Sequence, residues 1–428
     1  MKAMTHKLSL ALLFTFISFM MGGDEPLPVN HASGNVLMAG VSKINITPGT
    51  PIPMSGYGNR NEPFKGVRDS LYASAVVFSD GERTSVLITA DLIGFSHQLA
   101  SETIQQIEEV TGIDQDFILL SATHNHGGPS NRTYTDEAPP EVINYVEALQ
   151  KSIVAVVRKA LEKMQPVLLG AGTGECRMNI NRRARFADGS IWLGRNPDGP
   201  CDHEVEVVRI DDLNQRPIAI MVNWPCHGTI GGQENYHITG DWPGAAARFV
   251  EQSFDHKVIV QVTAGASADI NPIYGPNDKF RDIDAIGMLL GEEVERVARS
   301  IETFPGGNIE ALKMTLNAKG KKRLASRAPN QELNSNDDVE IHLSALKIGN
   351  LLFAGVSGEL MTEIGMRIKS ESPIKHTMII THCNGNSGYL CTDAAYPEGG
   401  YEAMVSRTMP GTEYLISENL KKMIRSLD

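Results

Sequence analysis

Apolar residues in this chain follow two rhythms: short runs closed by Gly, Pro or Asn, and longer stretches with a helical period. Val41 to Ile46 alternates as a strand does. Leu71 to Phe78 and Thr84 to Leu92 flank Asp80-Gly81, a pair that favours the positive φ angles of a hairpin turn. Leu99, Ile104, Ile107 and Val110 then recur at helical spacing. After the apolar run Phe117 to Leu120, Pro140 to Met164 reads as a long helix and Pro166 to Gly170 as a strand. Val205 to Ile210 and Ile218 to Trp224 form a strand pair. Pro243 after Asp241-Trp242 opens a helix to Phe254, because proline suits a first turn that needs no N–H. Val258 to Thr263 is a strand, Asp282 to Ile301 a helix, and Ile341 to Val356 a hairpin around Gly349-Asn350. Helices at Thr362 to Ser370 and at the C-terminus enclose a strand at Met378 to Thr381. This order predicts an α/β chain (mixed α+β), with mixed sheets flanked by helices in a single large domain.

Composition narrows the field. A chain of 428 residues, 41% hydrophobic and 21% charged, has ample material for a large core. No linker, charge block or internal repeat marks a boundary, so residues 36–428 are expected to form one catalytic domain. A net charge of -12 argues against nucleic acid as a partner and leaves a neutral lipid, sugar or amide substrate open; no protein partner is implied by the sequence. Residues 1–23 have the form of a secretory signal peptide: two lysines, then the apolar stretch Leu8 to Met21, too short for a comfortable membrane span. The expected location is therefore periplasmic or secreted. Export permits disulfides, yet the five cysteines are odd in number and widely spread; Cys383 and Cys391 are close enough in sequence to pair, or to remain free.

Chemistry gathers where strands end. Phe117 to Leu120 runs into Ser121-Ala122-Thr123-His124-Asn125-His126-Gly127-Gly128-Pro129, a sharp turn that leaves two imidazoles at a sheet edge, where a metal such as zinc is a natural ligand. Ile218 to Trp224 leads to Pro225-Cys226-His227-Gly228-Thr229. The strand ending at Val356 leads to Ser357-Gly358-Glu359. Met378 to Thr381 leads to His382-Cys383-Asn384-Gly385-Asn386-Ser387-Gly388-Tyr389, and Val258 to Thr263 leads to Ser267-Ala268-Asp269-Ile270-Asn271-Pro272. Periodicity does not say whether these ends meet. His237 and His203 are read as structural, His382 as closer to the chemistry, and Asp91 as a capping residue rather than a second cation site.

Taken together, Ser-Ala-Thr-His-Asn-His-Gly-Gly-Pro, Cys-His-Gly-Thr, Gly-Glu and Ser-Gly-Tyr resemble the catalytic domain of the neutral/alkaline, non-lysosomal ceramidase family, from about Met38 onward. The resemblance implies one zinc ion per chain, held by His124, His227, Glu359 and Tyr389 with a position left for water, and a second tyrosine twelve places on at Tyr401. His126 and Tyr401 then face the substrate and its oxyanion. Arg182, in Asn181-Arg182, is a candidate substrate clamp, its alternative being an exposed member of the run Arg182-Arg183-Ala184-Arg185. Such a set suits hydrolysis of an N-acyl amide by metal-activated water.

Two departures bear on substrate. Asn125 replaces the threonine of the family's His-Thr-His, and Asn271 stands where the family has a serine; an amide can donate to an oxyanion but cannot be a nucleophile. Ser267 is nearby but out of register. The chain also stops where the family's immunoglobulin-like C-terminal domain would begin. The leading expectation is a secreted zinc amidohydrolase acting on ceramide or a similar small-molecule or lipid-like amide, with peripheral membrane contact left open. The alternatives are the same site acting on another amide, ester or glycoconjugate, and a non-catalytic binding protein with a relict zinc site.

Overall fold

Strand after strand in this protein is buried on both faces, and that follows from two sheets stacked between outer helices. The computed structural model describes residues 36–428 apart from 61, 134–137, 278, 322–323, 326–327 and 333–336; the expected signal peptide at 1–23 lies outside the described residues. The larger sheet runs in the order Ile259–Ala264, Pro217–Trp224, Glu204–Asp212, Gln165–Glu175, Met38–Asn45, Tyr72–Ser79, Thr84–Ala90 and Ile118–Ala122, with Phe304–Pro305 paired to the side. Its first and last pairings are parallel and the rest antiparallel. A second sheet orders Ile309–Ala318, Val339–Ile348, Leu351–Val356 and His376–Ile380.

Alternation along a strand assigns each residue to one of two layers. Ala73, Ala75 and Val77 pack outward under the helices His97–Thr111 and Pro140–Leu161, whereas Val76 and Phe78 point inward. The inward set, with Leu87, Val208 and Met221, meets Leu346, Phe353 and Ile380 of the second sheet. Helices Asp241–Ser253 and Phe280–Ser300 cover the other half of the large sheet, and Thr362–Glu371 and Thr412–Ser426 cover the outside of the small one. The result is a helix–sheet–sheet–helix sandwich. Mixed sheets flanked by helices are therefore observed, and the stacking of two sheets is the feature the one-dimensional pattern did not reveal.

The turns follow their residues. Asp80 accepts from the N–H groups of Glu82 and Arg83 while Gly81 adopts φ 89°, closing the predicted hairpin. Ser96 caps helix His97–Thr111 by accepting from Leu99 N, and Gly112 ends it in the left-handed region. One expectation is corrected and one open question is closed. Asp91 caps no helix: its Oδ2 accepts from Tyr72 N on the neighbouring strand at 2.8 Å. All five cysteines are free, so Cys383 and Cys391 form no disulfide.

Candidate metal centre and active site

The two histidines at strand ends are brought level by an isolated parallel bridge between Asn125 and Gly228, with His126 N donating to Gly228 O at 2.8 Å. His124 follows strand Ile118–Ala122 and His227 follows strand Pro217–Trp224. His124 Nδ1 lies 2.7 Å from the carbonyl of Ile93, and His227 Nδ1 lies 2.7 Å from the carbonyl of Ser267. A carbonyl only accepts, so each ring carries its proton on Nδ1 and turns the Nε2 lone pair into the site.

Glu359 completes the group. Its Oε2 is 3.5 Å from His124 Nε2 and 3.3 Å from His227 Nε2. Two ring nitrogens and a carboxylate oxygen thus converge on one point. His227 Nε2 and Glu359 Oε2 are buried without any hydrogen-bond partner. Buried polar atoms are rarely left so, and converging lone pairs repel, so a cation is the group that fits this arrangement. Nitrogen and oxygen donors in a half-closed set suit zinc or a similar divalent metal.

Tyr389 arrives by a second cross-strand pairing. The short parallel strands Glu359–Leu360 and Tyr389–Leu390 place Glu359 directly opposite Tyr389. Arg182 Nη2 donates to the Tyr389 hydroxyl at 3.1 Å, and Arg182 Nη1 donates to Asn271 Oδ1 at 3.2 Å. Burial, then the Glu359 carboxylate, raise the Tyr389 phenol well above its ordinary value, while the Arg182 charge opposes them. Tyr401 meets Tyr389 edge to face with centroids 5.7 Å apart, and Trp192 in turn meets Tyr401 at 6.0 Å. Arg182 is 4% exposed, which removes the alternative of a solvent-facing member of its arginine-rich run.

His126 sits on the other side, its Nε2 3.4 Å from His124 Nε2 and its ring 5.2 Å from that of Tyr57. Gly56, at φ 102°, allows this approach, since a Cβ there would lie 2.7 Å from the His126 ring. His382 stacks flat on His124 at 3.8 Å. Burial, then the Arg182 charge, push the His227 imidazole down to about 3. Burial, then the neighbouring His124, push His126 and His382 well below their ordinary value. The His126, His227 and His382 rings are therefore neutral imidazoles beside one carboxylate and one guanidinium.

All eight residues singled out from the sequence, His124, His227, Glu359, Tyr389, His126, Tyr401, Arg182 and Asn271, meet in this one place. His203 does not: its Nδ1 lies 2.6 Å from Asn179 Oδ1. His237 is exposed at the edge of Phe280. Ser267 contributes its carbonyl, not its hydroxyl. Sequence reasoning missed Glu402, which is 1% exposed and accepts from Arg182 Nε at 2.7 Å and Arg183 Nη1 at 3.1 Å. It also missed Tyr57. The only signal for Glu402 was its place beside Tyr401 and the need of two buried arginines for a counter-charge.

Comparison with known proteins points to one family. Residues 37–271 match the family model described as neutral/alkaline non-lysosomal ceramidase, N-terminal. Neutral ceramidase A of Dictyostelium discoideum is 28% identical over 215 residues, 48% of this chain and 30% of that protein. The neutral ceramidase of Pseudomonas aeruginosa is 25% identical over 296 residues, 64% of this chain and 43% of its own length. These alignments span less than half of either relative. In structure, the Pseudomonas aeruginosa neutral ceramidase superposes with a TM-score of 0.79 at 18% identity, covering 92% of this chain and 74% of that one, a likeness of fold.

Proposed function

Because the chain belongs to the neutral/alkaline non-lysosomal ceramidase family, we propose that it hydrolyses the N-acyl bond of a ceramide-like lipid at one zinc ion held by His124, His227, Glu359 and Tyr389. The observation that carries this reading is the pair of buried, unpartnered atoms, His227 Nε2 and Glu359 Oε2, beside a His124 whose tautomer is set by Ile93. Zinc bound there supplies Lewis acidity, which lowers the pKa of a coordinated water to about 7 and polarises a carbonyl.

The protein's own residues supply the rest. His126, neutral and 3.4 Å from His124, is placed to accept the proton of an attacking water and return it to the leaving nitrogen. Tyr401, packed against the Arg182-held Tyr389, presents its hydroxyl group to the oxygen that gains charge in the tetrahedral state. Arg182 is fixed on three sides, so its charge is positioned before substrate arrives. The exposed side chains of Trp192 and Leu193, on the hairpin strand that reaches Tyr401, offer apolar surface for an acyl chain. Among the described residues no helix is long and apolar enough to cross a membrane. We assign residues 36–428 to one hydrolase domain and residues 1–23 to an export signal.

A second reading keeps the site and changes the substrate to another amide, an ester or a glycoconjugate; Asn271, held against Arg182 inside the site, favours it. One set of assays tests both. Metal analysis should find about one zinc at this centre, lost in His124→Ala and His227→Ala; retained metal in both variants refutes the site. Fatty-acid release from ceramide supports the first reading, and activity confined to other acyl-amides, esters or glycosides selects the second.

A further inference from the structure

A separate group of metal-binding side chains lies where helix His97–Thr111 meets strand Val339–Ile348 of the second sheet. His97 opens the helix. Glu340 and His342 lie two residues apart on the strand and so share one of its faces. One ligand atom from each of His97, Glu340 and His342 lies within 4.8 Å of the others.

His342 is held between two acceptors. Its Nδ1 is 2.9 Å from the carbonyl of Asn384 and its Nε2 is 2.6 Å from Glu340 Oε1. A neutral imidazole has one N–H for these two contacts, so the contact with Glu340 calls for positive charge on the Nε2 side, supplied by a second ring proton or by a metal ion in its place. His97 Nδ1 is buried with no hydrogen-bond partner. Burial, then the neighbouring His342, lower His97 to about 4, which leaves it a neutral donor at neutral pH. The two rings meet edge to face at 4.6 Å.

We propose that His97, Glu340 and His342 form a second site for a divalent transition-metal ion of the zinc class, separate from the centre at His124. Tetrahedral zinc with bonds of about 2.0–2.1 Å keeps its ligands roughly 3.4 Å apart. The 2.6 Å contact between His342 and Glu340 is shorter than that spacing, and all three ligand atoms lie within 4.8 Å of one another, so small side-chain movements reach it. The Glu340 side chain is half-exposed, at 53%, and can swing to open the short contact and leave the fourth position to water. Such an ion would fasten helix His97–Thr111 to the segment His382 to Tyr389, because Asn384 in that segment holds His342 and Gly385 is packed against the His97 ring. The site does not depend on what the first centre catalyses.

Zinc titration of the metal-stripped full-length protein, followed by calorimetry and elemental analysis, tests it. Wild type should take up two equivalents. The double variant His97→Ala/His342→Ala should keep one, and His124→Ala/His227→Ala should keep the other. Far-UV circular dichroism checks folding, and Glu340→Ala, altered only at a half-exposed side chain, should weaken the second equivalent by about tenfold or more. A single equivalent on wild type that His124→Ala/His227→Ala abolishes overturns this site and leaves the first intact. Two equivalents retained by His97→Ala/His342→Ala also overturn it.

Discussion

Replacing Glu402 separates the positioning of Arg182 from the holding of metal. The carboxylate is 1% exposed and spans two guanidinium groups, Arg182 at 2.7 Å and Arg183 at 3.1 Å. Arg183 keeps a second carboxylate, Glu398 at 3.0 Å, whereas Arg182 would keep only the uncharged Asn271 and Tyr389. Removing one member of a buried ion pair costs about 3–5 kcal/mol, because the other charge stays out of water uncompensated. At about 2.1 cal/mol/K per residue, unfolding a chain of 428 residues has an entropy near 0.9 kcal/mol/K, so Glu402→Ala should lower the melting temperature by about 4 °C. Glu402→Gln keeps the shape and one acceptor and should lose about half as much. In both, Arg182 is free to turn from Tyr389, so turnover should fall by about tenfold or more with zinc content unchanged. Differential scanning calorimetry, elemental analysis and fatty-acid release read the three quantities. A Glu402→Gln protein that melts and turns over as wild type would refute the reasoning.

Two other substitutions probe the site's surroundings. Gly56→Ala puts a Cβ 2.7 Å from the His126 ring on a backbone at φ 102°, so turnover should drop by at least about tenfold while zinc uptake is retained; full activity would mean that His126 orientation is immaterial. Asp91 is buried, and burial raises its carboxyl from the ordinary range to about 7. The folded state therefore holds a proton that the unfolded chain releases near pH 4, so this group's stabilisation is complete below that pH and is lost as pH rises through about 7. Three pH units correspond to roughly 4 kcal/mol, and Asp241 and Asp269, each raised to about 6 by burial, act in the same direction. Asp91→Asn keeps the acceptor for Tyr72 N, so its urea midpoint should rise at pH 8 by about three times as much as at pH 5, where the unfolded chain has gained only about one pH unit of ionisation; equal shifts at both would defeat the argument.

The strand ends were legible because doubly buried strands must read as unbroken apolar runs, and the polar loop after each run stands out against them. His124, His227, Glu359 and Tyr389 were found that way or by motif. What joins them was not legible. Neither the bridge from Asn125 to Gly228 nor the register of Glu359 on Tyr389 leaves a trace in periodicity, since both are pairings between distant segments. The hairpin of Asn179–Arg185 and Ile191–Asn196, which carries Arg182, has too few alternating apolar residues to read as strand, because much of its side-chain surface serves the site or solvent. The second sheet's first strand, Ile309–Ala318, was missed for a similar reason: it is half-exposed along most of its length.

The two departures from the family pattern are of different kinds. Asn125 turns its side chain to the backbone: Nδ2 donates to Asp91 O at 3.1 Å, and Oδ1 accepts from Gly127 N. It fastens a turn in which His124 stands at φ 55°, a left-handed conformation costing about 1–3 kcal/mol that persists only where neighbouring bonds over-determine it. A hydroxyl makes bonds of the same kind, so this exchange alters how the turn is held and not what the site does. Asn271 instead faces Arg182, a group that only donates, so the amide must offer Oδ1 to it and keep its N–H groups for other partners. A donor without a nucleophile then stands beside Tyr389, where a serine could both donate and accept. Selectivity between acyl substrates should therefore be set at Asn271, and the proposed metal site of His124, His227 and Glu359 does not depend on it.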